Sequence, residues 1–175
     1  MIHIRWMFLT GTALTLVIGP LAAQPGESHF AVYSDAKSGY TFSYPNYFKL
    51  DHEFADGSGE VVGIRAEPGN GQEASIAVLI DKPRLQTHSV QAYTEQVKQD
   101  FAVMPRAKVV STGTRKMLGL DAADVQVDSR NMRTRVIGVI VNGQDVFVRC
   151  VYTQSVAQMF APACEMVADT LKMKR

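Results

Sequence analysis

Neither charge dominates this sequence, which holds 18 Lys and Arg against 17 Asp and Glu. Only Arg5 among the charged residues falls within residues 1–23, so the rest carries 17 of each sign and is formally neutral. Proteins that grip nucleic acid show a basic excess that neutralises phosphates. Without it, nucleic acid is not an expected partner. No run of like charge forms a tail for a membrane surface or an acidic partner. Catalytic motifs are missing as well. Gly-x-Ser-x-Gly, His-Glu-x-x-His and the phosphate-binding loop are absent, and Gly57-Ser58-Gly59 is too short for a nucleophile elbow. The two cysteines form no Cys-x-x-Cys pair. No catalytic residue, cofactor site or metal site is expected, and the expectation is a protein that is not an enzyme.

The chain starts Met-Ile-His-Ile-Arg and continues as a mostly apolar, uncharged run from Trp6 to Ile18. Gly19-Pro20 breaks the run, and Leu21-Ala22-Ala23-Gln24 follows. This is the order of a secretory signal peptide, with cleavage expected between Ala23 and Gln24. A membrane anchor would need about 20 apolar residues. The run stops short of that, so no membrane span is expected after cleavage. No Cys follows Ala22-Ala23 and no twin-arginine pair precedes the run, which disfavours a lipoprotein and a folded export route. The expected organisation is a signal peptide at 1–23, a polar linker at 24–29 and one domain at 30–175. A periplasmic or secreted location follows.

About 150 residues remain, enough for one domain that buries roughly 68–70% of its unfolded surface. Tyr40-Thr-Phe-Ser-Tyr44 alternates aromatic and hydroxyl residues with the period of a half-buried strand. Residues 61–66 and 74–81 read as a hairpin around Pro68-Gly-Asn-Gly71. Ser89 is placed to cap a helix whose Val90, Tyr93, Val97 and Phe101 fall on one face. Strands follow at 108–118, 122–128, 134–141 and 146–152. Asn142-Gly143 between the last two is a strong hairpin signal, since a type I′ turn needs positive φ at both central residues. A second helix lies within 156–172, with Phe160, Cys164, Val167 and Leu171 at helical spacing and Pro162 expected in its first turn. Sequential hairpins with two helices predict an α+β domain built on a mainly antiparallel sheet.

Cys150 shares its strand face with Val146, Val148 and Tyr152. Cys164 lies on the apolar face of the last helix. If that helix covers that strand face, both sulfurs meet in one interface, and an oxidising compartment favours a Cys150–Cys164 disulfide. Two buried free thiols remain the alternative.

Weaker constellations read as structural. Asp51-His52-Glu53 with Asp56 matches no zinc spacing and is expected to be a solvated loop edge. Asp121, Asp124 and Asp128 read as turn and strand-edge charges. Arg133 and Arg135, two apart, share a sheet face if the strand starts early enough. They are candidates for binding an anion or an acidic partner, against the plainer reading of a charged edge that discourages aggregation. The scattered Met residues 104, 117, 132, 159, 166 and 173 form no copper site and read mostly as core fillers.

Gly39-Tyr-Thr-Phe-Ser-Tyr-Pro45, the Ser89-capped helix with Tyr93, Gly119-Leu-Asp-Ala-Ala123, the Asn142-Gly143 hairpin and the final Asp-Thr-Leu171 occur in an order that resembles the PsbP-like family. The resemblance spans residues 30–172. It implies an α/β/α sandwich and a non-catalytic accessory or binding role, and it carries over no catalytic residues. The expected function is an exported accessory protein binding a protein or cell-envelope partner. The alternative is a small-molecule or ion carrier with a pocket between sheet and helix.

Overall fold

Alternation in the sequence becomes two antiparallel sheets in a computed structural model that describes residues 29–35, 39–51, 60–65, 74–83 and 89–173. The leader with Ala23 and Gln24, most of the linker, and the Asp51–Asp56 segment beyond its first residue lie outside these residues. Strands β1 (Phe30–Ser34), β2 (Tyr40–Pro45) and β10 (Lys172–Met173) form a small sheet with β2 at its centre. The other seven are β3 (Lys49–Asp51), β4 (Glu60–Arg65), β5 (Ala74–Asp81), β6 (Ala107–Met117), β7 (Leu120–Ser129), β8 (Met132–Val141) and β9 (Gln144–Thr153). They form the main sheet in the order β3-β4-β5-β9-β8-β7-β6.

Turn chemistry sets the long hairpins. Leu118-Gly119 and Asn142-Gly143 both turn with positive φ, and Asn142 (φ 51) and Gly143 (φ 72) give the geometry expected of a type I′ turn. That places Val141 opposite Gln144 and fixes the whole β8–β9 register. Arg130, also at positive φ, starts the turn that pairs Ser129 with Met132. β8 therefore begins two residues earlier than the sequence pattern indicates, and Arg133 and Arg135 both lie within it.

Helix α1 (Val90–Ala102) crosses one face of the main sheet. Ser89 caps it by accepting from the Ala92 N–H at 3.3 Å. Its Tyr93 and Val97 pack with Val125, Val127, Val136 and Ile140. Helix α2 (Ala157–Thr170) covers the opposite face, between β9 and β2. Phe160 fills the core there, 5.0 Å from the Phe48 ring centroid. The architecture is α+β, with helices on both faces of an antiparallel sheet. Pro162 sits in the second turn of α2, not the first, because a 3-10 turn at Gln154–Val156 precedes the helix. The lost hydrogen bond falls on the solvent side, where Pro162 and Gln158 are both exposed and water can serve the carbonyl.

Candidate functional site

The two faces of β9 carry different chemistry. Val146, Val148, Cys150 and Tyr152 are buried under α2. Cys150 and Cys164 are joined there in a disulfide with Cα atoms 6.1 Å apart. Both are fully buried, and among the described residues no cysteine is free.

The same sheet face carries an ion-pair network. Arg135, only 8% exposed, donates to Asp124 on β7 (Nε to Oδ1 2.8 Å) and to Glu165 on α2. Arg115 on β6 donates to Glu165 and to Asp169. Arg133 forms a fork with Asp128, at 2.8 and 2.9 Å. Burial opposes the charge on Glu165, but the guanidinium groups of Arg135 and Arg115 outweigh it and hold the carboxyl below its ordinary range. The Arg133 hydrogen bonds hold Asp128 below its ordinary range as well. These contacts correct two expectations. Arg133 and Arg135 do share a face, but each is committed to carboxylates, so they are not a free anion site. Nor is this a solvated edge, since β7 and β8 are interior strands. Asp124 and Asp128 are paired within the sheet rather than at its margin.

The other face of β9 presents Phe147, Arg149 and Val151. Helix α1 lies over β6, β7 and β8 and leaves β9 largely uncovered on that side. The result is a trough of about 390 Å³. Its floor is Thr134 and Val136 of β8 with the three β9 residues, and its wall is Tyr93, Val97, Asp100, Phe101 and Met104. At one end the Tyr93 hydroxyl donates to Asp145 at 2.6 Å, and Asp145 is 5% exposed. At the other end the chain leaves α1 through Val103, 84% exposed, and Met104, 44% exposed. Val109 and Val110 follow on β6, also exposed, where the pairing with β7 slips by a residue. A wider concavity of about 710 Å³ lies near the turn at Leu118-Gly119, lined by Lys116, Asn142, Asp169 and Lys172 among others. Of the six methionines named above only Met117 is fully buried, so most are not core fillers.

Helical spacing places Val97 and Phe101 on the apolar face of α1, and no motif marks Arg149. The available signal was the period of two. It puts Arg149 between Phe147 and Val151 on the face opposite Cys150. Among the described residues, no helix is long and apolar enough to cross a membrane, and no group of three or more His, Cys, Asp or Glu is placed to hold a metal ion.

No protein-family model matches the sequence, and no curated protein matches it. Solved structures do match in shape. Cyanobacterial PsbP (CyanoP) from Synechocystis sp. PCC 6803 aligns with a TM-score of 0.59 at 18% identity, over 89% of this chain and 100% of that one. LpqN of Mycobacterium tuberculosis, involved in cell envelope biogenesis, aligns at 0.61 and 9% identity, over 83% and 91%. The Saccharomyces cerevisiae Ran-binding protein Mog1p aligns at 0.58 and 9% identity, over 81% and 94%. Such identities speak to the fold and not to activity; by that measure this chain has the PsbP-like fold.

Proposed function

We propose that this chain is an exported, non-catalytic accessory protein that binds a protein partner of the cell envelope through the corner where α1 passes into β6. The observation that carries this reading is the exposure of Val103, Met104, Val109 and Val110 at that corner. Apolar side chains gathered at one place on a surface mark interaction sites. β6 is also an edge strand, eleven residues long, with backbone groups open to an added strand. The envelope role of LpqN and the Ran binding of Mog1p support a binding use of this fold. Export rests on the leader at 1–23, and the buried disulfide supports it, since such bonds persist in oxidising compartments.

A photo-crosslinking residue at position 103 or 110 in growing cells is expected to give a discrete adduct. The same residue at Gln91, on the solvent side of α1, is expected to give none. Loss of the adduct in Met104→Asp would tie it to the corner. Equal labelling from all three positions, or none, ends the partner reading. Intact mass of the secreted or periplasmic protein tests export. A chain beginning at Gln24 supports it and one retaining Met1 overturns it.

The alternative, carriage of a small molecule between sheet and helix, is favoured by the trough beneath α1. Its apolar walls and few polar groups are the usual features of a ligand site, and its volume is near the lower end of the roughly 300–1,000 Å³ such sites occupy.

A further inference from the structure

Strands β6 to β9 place four arginines on the faces of the main sheet, at positions 115, 133, 135 and 149. Three of them are committed to carboxylates. Arg149 is the exception, with no carboxylate within ion-pair distance among the described residues. It stands on the trough floor, opposite Val136 on β8 and Ala77 on β5, with Phe147 and Val151 before and after it on the same face. A guanidinium carries five donors and no acceptor, and it does not lose its proton. Apolar neighbours offer those donors nothing, and the half-buried side chain leaves them to water or to an acceptor that enters the trough. Asp100 borders the trough but does not pair with Arg149, and it accepts from Gln96 at 3.0 Å. The Tyr93 hydroxyl is already given to Asp145. Arg149 is therefore the cation of the trough lining, with its donors open to an anion that enters.

We infer that the trough binds a single-chain carboxylate amphiphile, its carboxylate on Arg149 and its chain along Val97, Phe101, Val136 and Phe147. The inference rests on the carriage reading above and names its ligand class. A carboxylate fits because the guanidinium fork takes it with two parallel hydrogen bonds. One chain fits because the volume is small for a ligand site and the lining is continuous from Tyr93 to Met104.

The test is calorimetric titration of the mature, disulfide-bonded protein at neutral pH with decanoate, decanol and decyltrimethylammonium, each below its aggregation threshold. Decanoate is expected to bind at least about ten-fold tighter than decanol, the scale of a hydrogen bond to a charged group. The cation is expected to bind weakest. Arg149→Gln should remove the preference for decanoate and leave decanol affinity unchanged, while Arg149→Lys should keep part of it. Unchanged decanol binding also shows that the variant is folded. If decanoate and decanol bind equally, or Arg149→Gln keeps the preference, this inference fails and carriage stands. If none of the three binds, carriage fails with it. The crosslinks from Val103 are independent of all these outcomes.

Discussion

The Tyr93 hydroxyl occupies the space that a side chain at position 138 would need: a Cβ on Gly138 would lie 2.3 Å from its oxygen and 2.4 Å from the ring carbon bearing it. Gly138 lies on β8, and its missing side chain lets Tyr93 cross that strand to reach Asp145 at the start of β9. One contact therefore fixes the seat of α1 on the sheet and closes one end of the trough.

Gly138→Ala is expected to destabilise the protein by about 1–3 kcal/mol, since a packed core yields little to an added methyl. In a Tyr93→Ala background the same change should cost far less, because the clashing atoms are gone. Urea unfolding of the four-member cycle measures the difference. Equal costs in both backgrounds would mean that Tyr93 and Gly138 are not coupled. Tyr93→Phe alone should cost roughly 1.5–3 kcal/mol, because buried Asp145 loses a donor.

Arg135 should matter more than Arg133, though both form forks with an aspartate. The Arg135 pair is nearly out of water, at 10% and 15% side-chain exposure, and that of Arg133 is not, at 27% and 33%. Arg135→Met leaves buried Asp124 without its guanidinium donor and Glu165 with Arg115 alone, and is expected to cost roughly 3 kcal/mol. Arg133→Met should cost about 1 kcal/mol or less. Similar costs in thermal unfolding would show that burial does not set the strength of these pairs.

The pH dependence of stability follows from Glu165. Its folded carboxyl lies below the ordinary value of 4.5, so below that value the unfolded chain binds the proton first. The stabilisation is complete above about 4.5 and fades as pH falls through the lower, folded value. Glu165→Gln should flatten that part of the acid limb and leave the neutral region with a constant loss. An acid limb of unchanged slope in the variant would remove Glu165 from the account.

Local requirements were legible in the sequence, and non-local pairings were not. Asn142-Gly143 had to turn because two adjacent residues at positive φ admit few alternatives. Ser89 announced α1 by its own side chain. Cys150 and Cys164 could be brought together because a period of two and a period of 3.6 each specify a face. The seating of β10 against β2 could not be read, since Lys172 and Met173 meet Thr41 and Tyr40 across most of the chain, and two residues have no periodicity. The pairing of Arg135 is not legible for a related reason. Its partners lie on β7 and α2, and the order of strands in a sheet is not written in any one strand. A pocket between sheet and helix is among the expectations, but its place on β9 is not legible, because α1 lies over β6 to β8, a matter of docking that the apolar stripe of the helix does not reveal.

The Cys150–Cys164 bridge links residues 14 apart and is expected to contribute about 3 kcal/mol. Alkylation of the native protein should leave both sulfurs unlabelled, and reduction in denaturant should expose both. Cys150→Ala with Cys164→Ala should lower stability by about that amount while keeping the fold, because both positions sit in an apolar core that Ala can occupy. Unfolding of the double variant at ambient temperature would instead make the bridge a condition of folding.

Arg149 is the position where stability and binding should pull apart. Arg115, Arg133 and Arg135 are paired with carboxylates, and their removal is expected to destabilise. The half-buried guanidinium among Phe147, Val151 and Val136 has no carboxylate to lose, so its removal takes no ion pair from the fold. Arg149→Leu keeps the volume of the stem and adds apolar surface to an apolar floor. It is expected to raise stability by about 0.5–2 kcal/mol, the range of single stabilising substitutions. The gain should appear as a higher midpoint in urea with an unchanged slope. If Arg149→Leu destabilises the protein, the guanidinium contributes to the fold and need not be held for a ligand. If it stabilises, the fold does not need the guanidinium, which is what an arginine held for an anion in the trough requires.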